Sequence, residues 1–271
     1  MKNVLVQTEN VHRFLSGVGE LEKRGAREAS IMLLIGDPGF GKTECVERWA
    51  DQEDAVYLCG YPRVTAQMVL GDLVRELGGI PDGRYETRRQ QADRLLRSSL
   101  NDKGMPRPII LDEAQFYLEN KAEALEVIRS LTDRHENSLV LVSMDDIQKQ
   151  IAKYDQISSR IASVVKMHPA NIADVEKLCD GLSEVKISQR LAEEILHHTG
   201  GRHRDVVKSI ALAETFGKRN RKELVNCVMM SGEVIAYDWR DETPRKVREA
   251  MAAREAREMK KQQEECARSA A

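Results

Sequence analysis

The sequence predicts an α/β fold: a mainly parallel five-stranded sheet, then a small all-helical domain and a charged C-terminal tail. Three observations carry that prediction. Short apolar runs alternate with helical patterns up to about residue 170, a glycine-rich loop follows the first run, and strand signals cease near Ala170.

Each element has its own reason. Residues 31–35 (IMLLI) are apolar throughout, as suits a strand covered on both faces, and a helix is expected to begin near Gly41. Residues 55–59 give a second strand. Residues 64–77 then place Val64, Met68, Leu70, Leu73, Val74 and Leu77 on one side of a helix. Residues 108–111 form a third strand, residues 122–131 repeat helical spacing through Leu125, Ile128 and Leu131, and residues 139–143 form a fourth strand. A weaker fifth covers residues 163–167. Beyond it only helical patterns remain, at residues 171–179, 188–198, 204–216 and 222–230, and Asn171 after Pro169 suits the cap of the first. Residues 240–271 are charge-dense and lack an apolar stripe, so a solvated helix or mobile tail is expected there. The expected domains are therefore residues 1–169, 170–239 and 240–271.

Composition narrows the class. A chain of 271 residues with 41% hydrophobic and 32% charged residues and a net charge of −2 is neither a disordered chain nor a polybasic coat. Near-neutrality leaves the question of a nucleic-acid partner to local patches. Cys45, Cys59, Cys179, Cys227 and Cys266 are scattered, without a CxxC pair or a histidine at zinc spacing, and read as free thiols of a reducing compartment. No apolar stretch approaches the roughly 20 residues that span a bilayer, and no signal-peptide core follows Met1, so a cytoplasmic protein is expected.

The glycine-rich loop carries chemistry. Gly36, Asp37, Pro38, Gly39, Phe40, Gly41, Lys42 and Thr43 fit GxxxxGK[ST] between a strand and a helix, and Glu44 follows in that helix's first turn. This is a P-loop. Its glycines let the backbone wrap phosphates, the helix N-terminus faces the anion, Lys42 reaches the terminal phosphates and the Thr43 hydroxyl suits magnesium. The third strand ends in Asp112 and Glu113, a Walker B pattern in which the first carboxylate holds magnesium and the second orients or deprotonates the attacking water. Ser143, at the end of the fourth strand, is a candidate sensor of the phosphate, although serine at a strand end also serves turns. Arg160, in SSRI, is either an arginine finger acting across a subunit boundary or a surface arginine.

In the helical part, Gly200 and Gly201 precede Arg202, His203 and Arg204 at a helix start, where cations oppose the helix dipole; a functional arginine reaching the nucleotide is one reading, exposed charges the other. His197, His198 and His203 lack an acid or cysteine framework and suggest no metal site. Two basic stretches stand out: Arg88, Arg89, Arg94 and Arg97 between the second and third strands, and Lys218, Arg219, Arg221 and Lys222. Each suits DNA phosphates or a solvated helix face.

Taken together, GDPGFGKT, IILDEAQ, the polar end of LVLVSMDD, SSRI and GGRHRDV stand in the order and spacing of AAA+ ATPases over about residues 4–235. Within that superfamily the chain most resembles the DNA-transposition ATPases of the Mu-type transposition protein B group, and more loosely the initiator-type ATPases. The resemblance implies ATP and Mg2+ as cofactors, phosphate contacts from Gly39, Gly41, Lys42 and Thr43, magnesium at Thr43 and Asp112, and a catalytic Glu113. It also implies sensor one at Ser143, the finger at Arg160, sensor two at Arg204 and an adenine cover from residues 4–11. The partners implied are double-stranded DNA read without sequence preference, further copies of the chain in a ring or filament, and a transposase that receives the DNA and is stimulated. Hydrolysis would then drive disassembly. Two departures stand out: about 30 residues precede the first strand where the Mu-type protein carries a helix-turn-helix domain, and sensor one is often Asn where this chain has Ser143. A different class, a signalling or secretion-linked ATPase that binds protein and not DNA, fits the same nucleotide motifs.

Overall fold

The computed structural model describes residues 1–23, 29–144, 146–238 and 243–269. They fall into two compact units, Val11–His168 and a second made of Met1–Asn10 with Pro169–Ala271. The domain boundary expected at Trp239 lies outside the described residues.

The first unit is built on a parallel sheet. In chain order it contains α1 (Glu9–Glu22) from Val11 onward, β1 (Ile31–Ile35), α2 (Lys42–Glu53), β2 (Val56–Cys59), α3 (Ala66–Glu76), α4 (Tyr85–Ser98) and β3 (Ile109–Asp112). A 3₁₀ turn (Ala114–Leu118) follows, then α5 (Glu119–His135), β4 (Leu139–Ser143), α6 (Ile147–Ile151), α7 (Asp155–Ser158) and β5 (Ile161–Lys166). The strands lie in the order β2-β3-β4-β1-β5. Every residue of β1, β3 and β4 is buried, whereas β2 and β5 at the edges alternate buried with half-buried or exposed positions. That alternation explains why β5 is weak in sequence: an edge strand carries Val164 and Lys166 toward solvent. The apolar faces of α3 and α5 pack on this sheet through Leu70, Leu73, Leu125 and Ile128. On α1 and α2, Phe14 meets Trp49 edge to face at 5.5 Å. Helix α3 starts two residues later than its apolar spacing predicts, because Thr65 caps it by accepting from the Met68 N–H; Val64 is buried ahead of the cap.

The second unit is mainly helical, with α8 (Ile172–Leu182), α9 (Gln189–Thr199), α10 (His203–Arg219) and α11 (Glu249–Ser269). Asn171 caps α8 in a reciprocal capping box with Asp174, as its place after Pro169 predicts. Two small strand pairs interrupt the helices: β6 (Lys186–Ile187) beside β7 (Leu224–Val225), and a hairpin of β8 (Val234–Asp238) and β9 (Thr243–Lys246). The helix expected over residues 222–230 is therefore β7 followed by turns. Val225, Asn226 and Cys227 are buried in succession, a run without helical spacing. The charged tail is a helix, one of the two forms expected; its first part is docked and residues 259–266 are exposed. Ala252 and Glu255 of α11 are buried, the Glu255 carboxylate accepts the Cys227 N–H at 2.6 Å, and Glu258 binds Arg190 at 2.6 Å. An apolar-stripe search misses that docking because an ion pair and one buried acid help to fasten it. Residues 1–10 pack on the same unit, with the Lys2 N–H donating to the Leu182 carbonyl at 2.7 Å. Among the described residues no helix is long and apolar enough to cross a membrane.

Candidate nucleotide site at the carboxyl edge of the sheet

The strand order decides which chain segments meet. β1 lies between β4 and β5, and β3 flanks β4, all parallel, so their carboxyl ends share one edge. Ile35 at the tip of β1 pairs in register with Ser143 at the tip of β4, and Asp112 ends β3 opposite Cys59 of β2. Open parallel sheets bind ligands at this edge, where the order of strands reverses.

Loop 36–41 springs from β1. Gly36 has φ +155 and a Cβ there would stand 3.0 Å from the Met167 carbonyl oxygen; Gly41, with φ 88, ends the loop as the residue before α2. Both positions favour glycine over any residue with a side chain. The first turn of α2 thus opens directly onto the loop, with the positive end of its dipole presented to an anion. Lys42 Nζ donates to the carbonyls of Gly36 at 2.6 Å and Asp37 at 3.1 Å, so the ammonium is held over the loop it belongs to.

Asp112 is only 4% exposed. Its Oδ2 accepts the Thr43 hydroxyl at 2.9 Å and the Tyr57 hydroxyl at 2.7 Å, and its Oδ1 accepts the Glu113 N–H at 2.8 Å. Among the described residues no cation contacts this carboxylate. A buried anion held by neutral donors is unfavourable alone and suits a divalent cation brought in by a ligand, so Thr43 and Asp112 fit Mg2+. Tyr57 was not foreseen as part of the site: it becomes a neighbour of Asp112 only because β2 pairs with β3. Burial, followed by the hydrogen bond to Asp112, raises its phenol well above the usual tyrosine range, so it stays a donor.

Glu113 leaves β3 with φ 51 and ψ 46, a left-handed conformation that costs a non-glycine residue about 1 kcal/mol. Its Oε2 accepts from Gln115 Nε2 at 2.6 Å, and Gln115 Oε1 accepts the Ser143 hydroxyl at 2.7 Å. Ser143 is thus joined to Glu113 through Gln115, a residue visible in the LDEAQ run but without an assigned part in the sequence reading.

The other expected site residues have different surroundings. Arg160 is held within its own chain, its Nε on Asp133 Oδ2 at 2.8 Å and its NH1 on the Gln156 carbonyl at 2.7 Å. Arg204 stands in the first turn of α10 in the second unit. Of the basic stretch on α4, Arg88 does not suit phosphate contact: its NH1 donates to the Gln67 carbonyl and its Nε is buried, because the side chain packs where α4 meets Gly71 of α3. Arg94 is exposed, and the Arg97 side chain is 74% exposed. Lys218 is likewise committed, paired with Glu214 at 2.7 Å and Glu184 at 2.9 Å, whereas Arg219, Arg221 and Lys222 are exposed.

Residues 23–151 match the AAA domain family AAA_22. No curated protein sequence matches the chain. Among solved structures, the chain is similar to Cdc6p from Pyrobaculum aerophilum, with 16% identity and a TM-score of 0.53 over 82% of this chain and 64% of that one. It is similar to the RuvB Holliday junction branch migration motor of Thermotoga maritima, at 17% identity and a TM-score of 0.54 over 83% and 67%. It also resembles the Aeropyrum pernix ORC1 protein in complex with DNA, at 16% identity and a TM-score of 0.52 over 83% and 63%. The chain thus spans about two thirds of the length of these structures. Over residues 23–151 the chain is similar to the AAA domain family, and its likeness to these solved structures is one of fold.

Proposed function

We propose that the protein is an ATP-driven assembly factor of the kind found in the Mu-type transposition protein B group. It binds duplex DNA with little regard to sequence, assembles there with copies of itself when ATP is bound, delivers that DNA to a transposase and stimulates it, and comes apart on hydrolysis. The observation that carries the nucleotide part is the convergence of Lys42, Thr43, Asp112 and Glu113 at one sheet edge. Lys42 exchanges its loop carbonyls for the terminal phosphates. Thr43 and Asp112 hold Mg2+, which when bound offsets phosphate charge as a Lewis acid. Glu113 takes the proton of the attacking water. Arg160 acts on a neighbouring copy's nucleotide after giving up Asp133. Residues 170–239 serve as a lid in which Arg204 reads the nucleotide, and residues 4–11 cover the adenine. A cytoplasmic setting accords with cysteines that form no disulfide among the described residues, two of which, Cys45 and Cys179, burial pushes up to about 12.

The DNA part rests on the resemblance and on exposed cations. With a net charge of −2, one copy has little overall attraction for phosphate, so affinity must come from repeated contacts in an assembly. Arg94 and Arg97 on α4 are the favoured contacts, ahead of Arg219, Arg221 and Lys222. Electron microscopy of the protein on unrelated duplexes is expected to show assemblies with a nonhydrolysable ATP analogue and none with ADP. Binding should be cooperative, steeply salt-dependent and weakened for every sequence alike by Arg94→Ala/Arg97→Ala. Equal DNA affinity with ATP, with ADP and without nucleotide would count against this reading and favour a protein-binding ATPase.

A further inference from the structure

We infer that Gln115 is a positioning residue for hydrolysis and that Ser143 acts through it rather than directly on the phosphate. The inference rests on the proposed role of Glu113 as the base. Glu113 departs from β3 in a left-handed conformation, so the strand does not fix where its carboxylate points. What fixes it is the amide of Gln115, two residues on in the 3₁₀ turn, whose Nε2 donates to Oε2 at 2.6 Å. A hydrogen bond to an ionised acceptor is about twice as strong as one between neutral groups. It leaves Oε1 as the oxygen turned to other donors, water among them.

The orientation of that amide is itself determined. Reversing it would set Gln115 Oε1 against the carboxylate, oxygen facing oxygen, so Nε2 faces Glu113 and Oε1 faces Ser143. Oε1 can only accept, and the Ser143 hydroxyl therefore donates its single proton there, at 2.7 Å. Ser143 is 3% exposed and ends β4, the strand paired with β1 beneath the P-loop. With its proton committed to Gln115, it has no proton to give a phosphate oxygen. The chain from Ser143 through Gln115 to Glu113 carries its influence to the base.

The test is steady-state ATP hydrolysis by the full chain, with nucleotide affinity and thermal midpoint measured beside it. Gln115→Met keeps length and volume but removes both hydrogen bonds. It is expected to lower kcat between about tenfold and a hundredfold while leaving KM for ATP within about twofold, since misaiming the base affects the step and not the binding. Ser143→Ala is expected to cost less, and the double variant no more than Gln115→Met alone. Turnover by Gln115→Met equal to that of the unaltered chain would overturn the inference, as would losses from the two single variants that multiply in the double. Glu113→Gln separates the two levels: its hydrolysing normally would refute the underlying reading, whereas its inactivity beside a fully active Gln115→Met would refute this inference alone.

Discussion

Two buried carboxylates, one in each unit, are held in opposite ways. Asp112 in the first unit sits on two hydroxyls and a backbone N–H. Glu194 in the second is fully buried, and the Arg248 guanidinium and N–H close on it, with Nε 2.9 Å from Oε1. A carboxylate buried with its cation is complete and serves to fasten, here tying the start of α11 to α9. One buried on neutral donors keeps an uncompensated charge: Glu255 does so on the Cys227 N–H in the second unit, whereas Asp112 does so on Thr43 of the P-loop motif, where a cation could come with a ligand. Burial alone does not mark a functional acid; what surrounds it does.

The sharpest way to break this comparison is Asp112→Asn, which keeps the shape and removes the charge. Turnover of Mg-ATP, followed by phosphate release, is expected to fall on the order of a hundredfold or more, while the melting temperature of the protein without nucleotide stays the same or rises. A stability loss matching that of a broken ion pair would make Asp112 a fastening residue. Second, Mg-ATP at a hundredfold over its Kd is expected to stabilise the unaltered chain by about 2.7 kcal/mol, and a metal chelator to abolish most of that gain; calorimetry of both arms decides.

Third, Arg248→Ala is expected to cost about 2 kcal/mol, below the upper range for buried pairs because the Arg248 side chain is 45% exposed. Glu194→Gln/Arg248→Met should recover much of the loss in denaturant unfolding. The smallest effect is acid sensitivity. Burial raises the Glu194 carboxyl, but the Arg248 hydrogen bonds outweigh it and hold the group below its ordinary 4.5. Its contribution is therefore full above about pH 4.5 and is lost as the pH falls through the lower folded value. Unfolding free energy measured down the acid limb should fall less steeply in Arg248→Ala, where that depression is gone.

How much was legible follows from the range of each signal. The P-loop, the paired acids after β3 and the central strands are local patterns, and they stand where the sequence places them. The strand order, which sets Tyr57 on Asp112 and Ser143 on Gln115, comes from pairings such as Ile109 with Leu139, Val56 with Ile109 and Ile31 with Ile161, between residues far apart in the chain. The packing of Arg88 depends on α4 lying against α3, which helical periodicity alone cannot show. Docking of α11 likewise rests on Glu255 meeting the Cys227 N–H and Glu258 meeting Arg190, partners that no apolar stripe announces.

The sequence by itself determined the α/β class, the glycine-rich loop and the acids that follow β3, because glycine freedom, apolar periodicity and adjacent carboxylates act over a few residues. Only the tertiary structure decided what each polar group touches. It left Asp112 on hydroxyls while Glu194 received its cation, set Arg160 on Asp133, and placed Gln115 between Ser143 and Glu113. Hydrogen bonds and ion pairs reach only about 3–4 Å, so their partners are fixed by how strands and helices pack, after local preference has been spent.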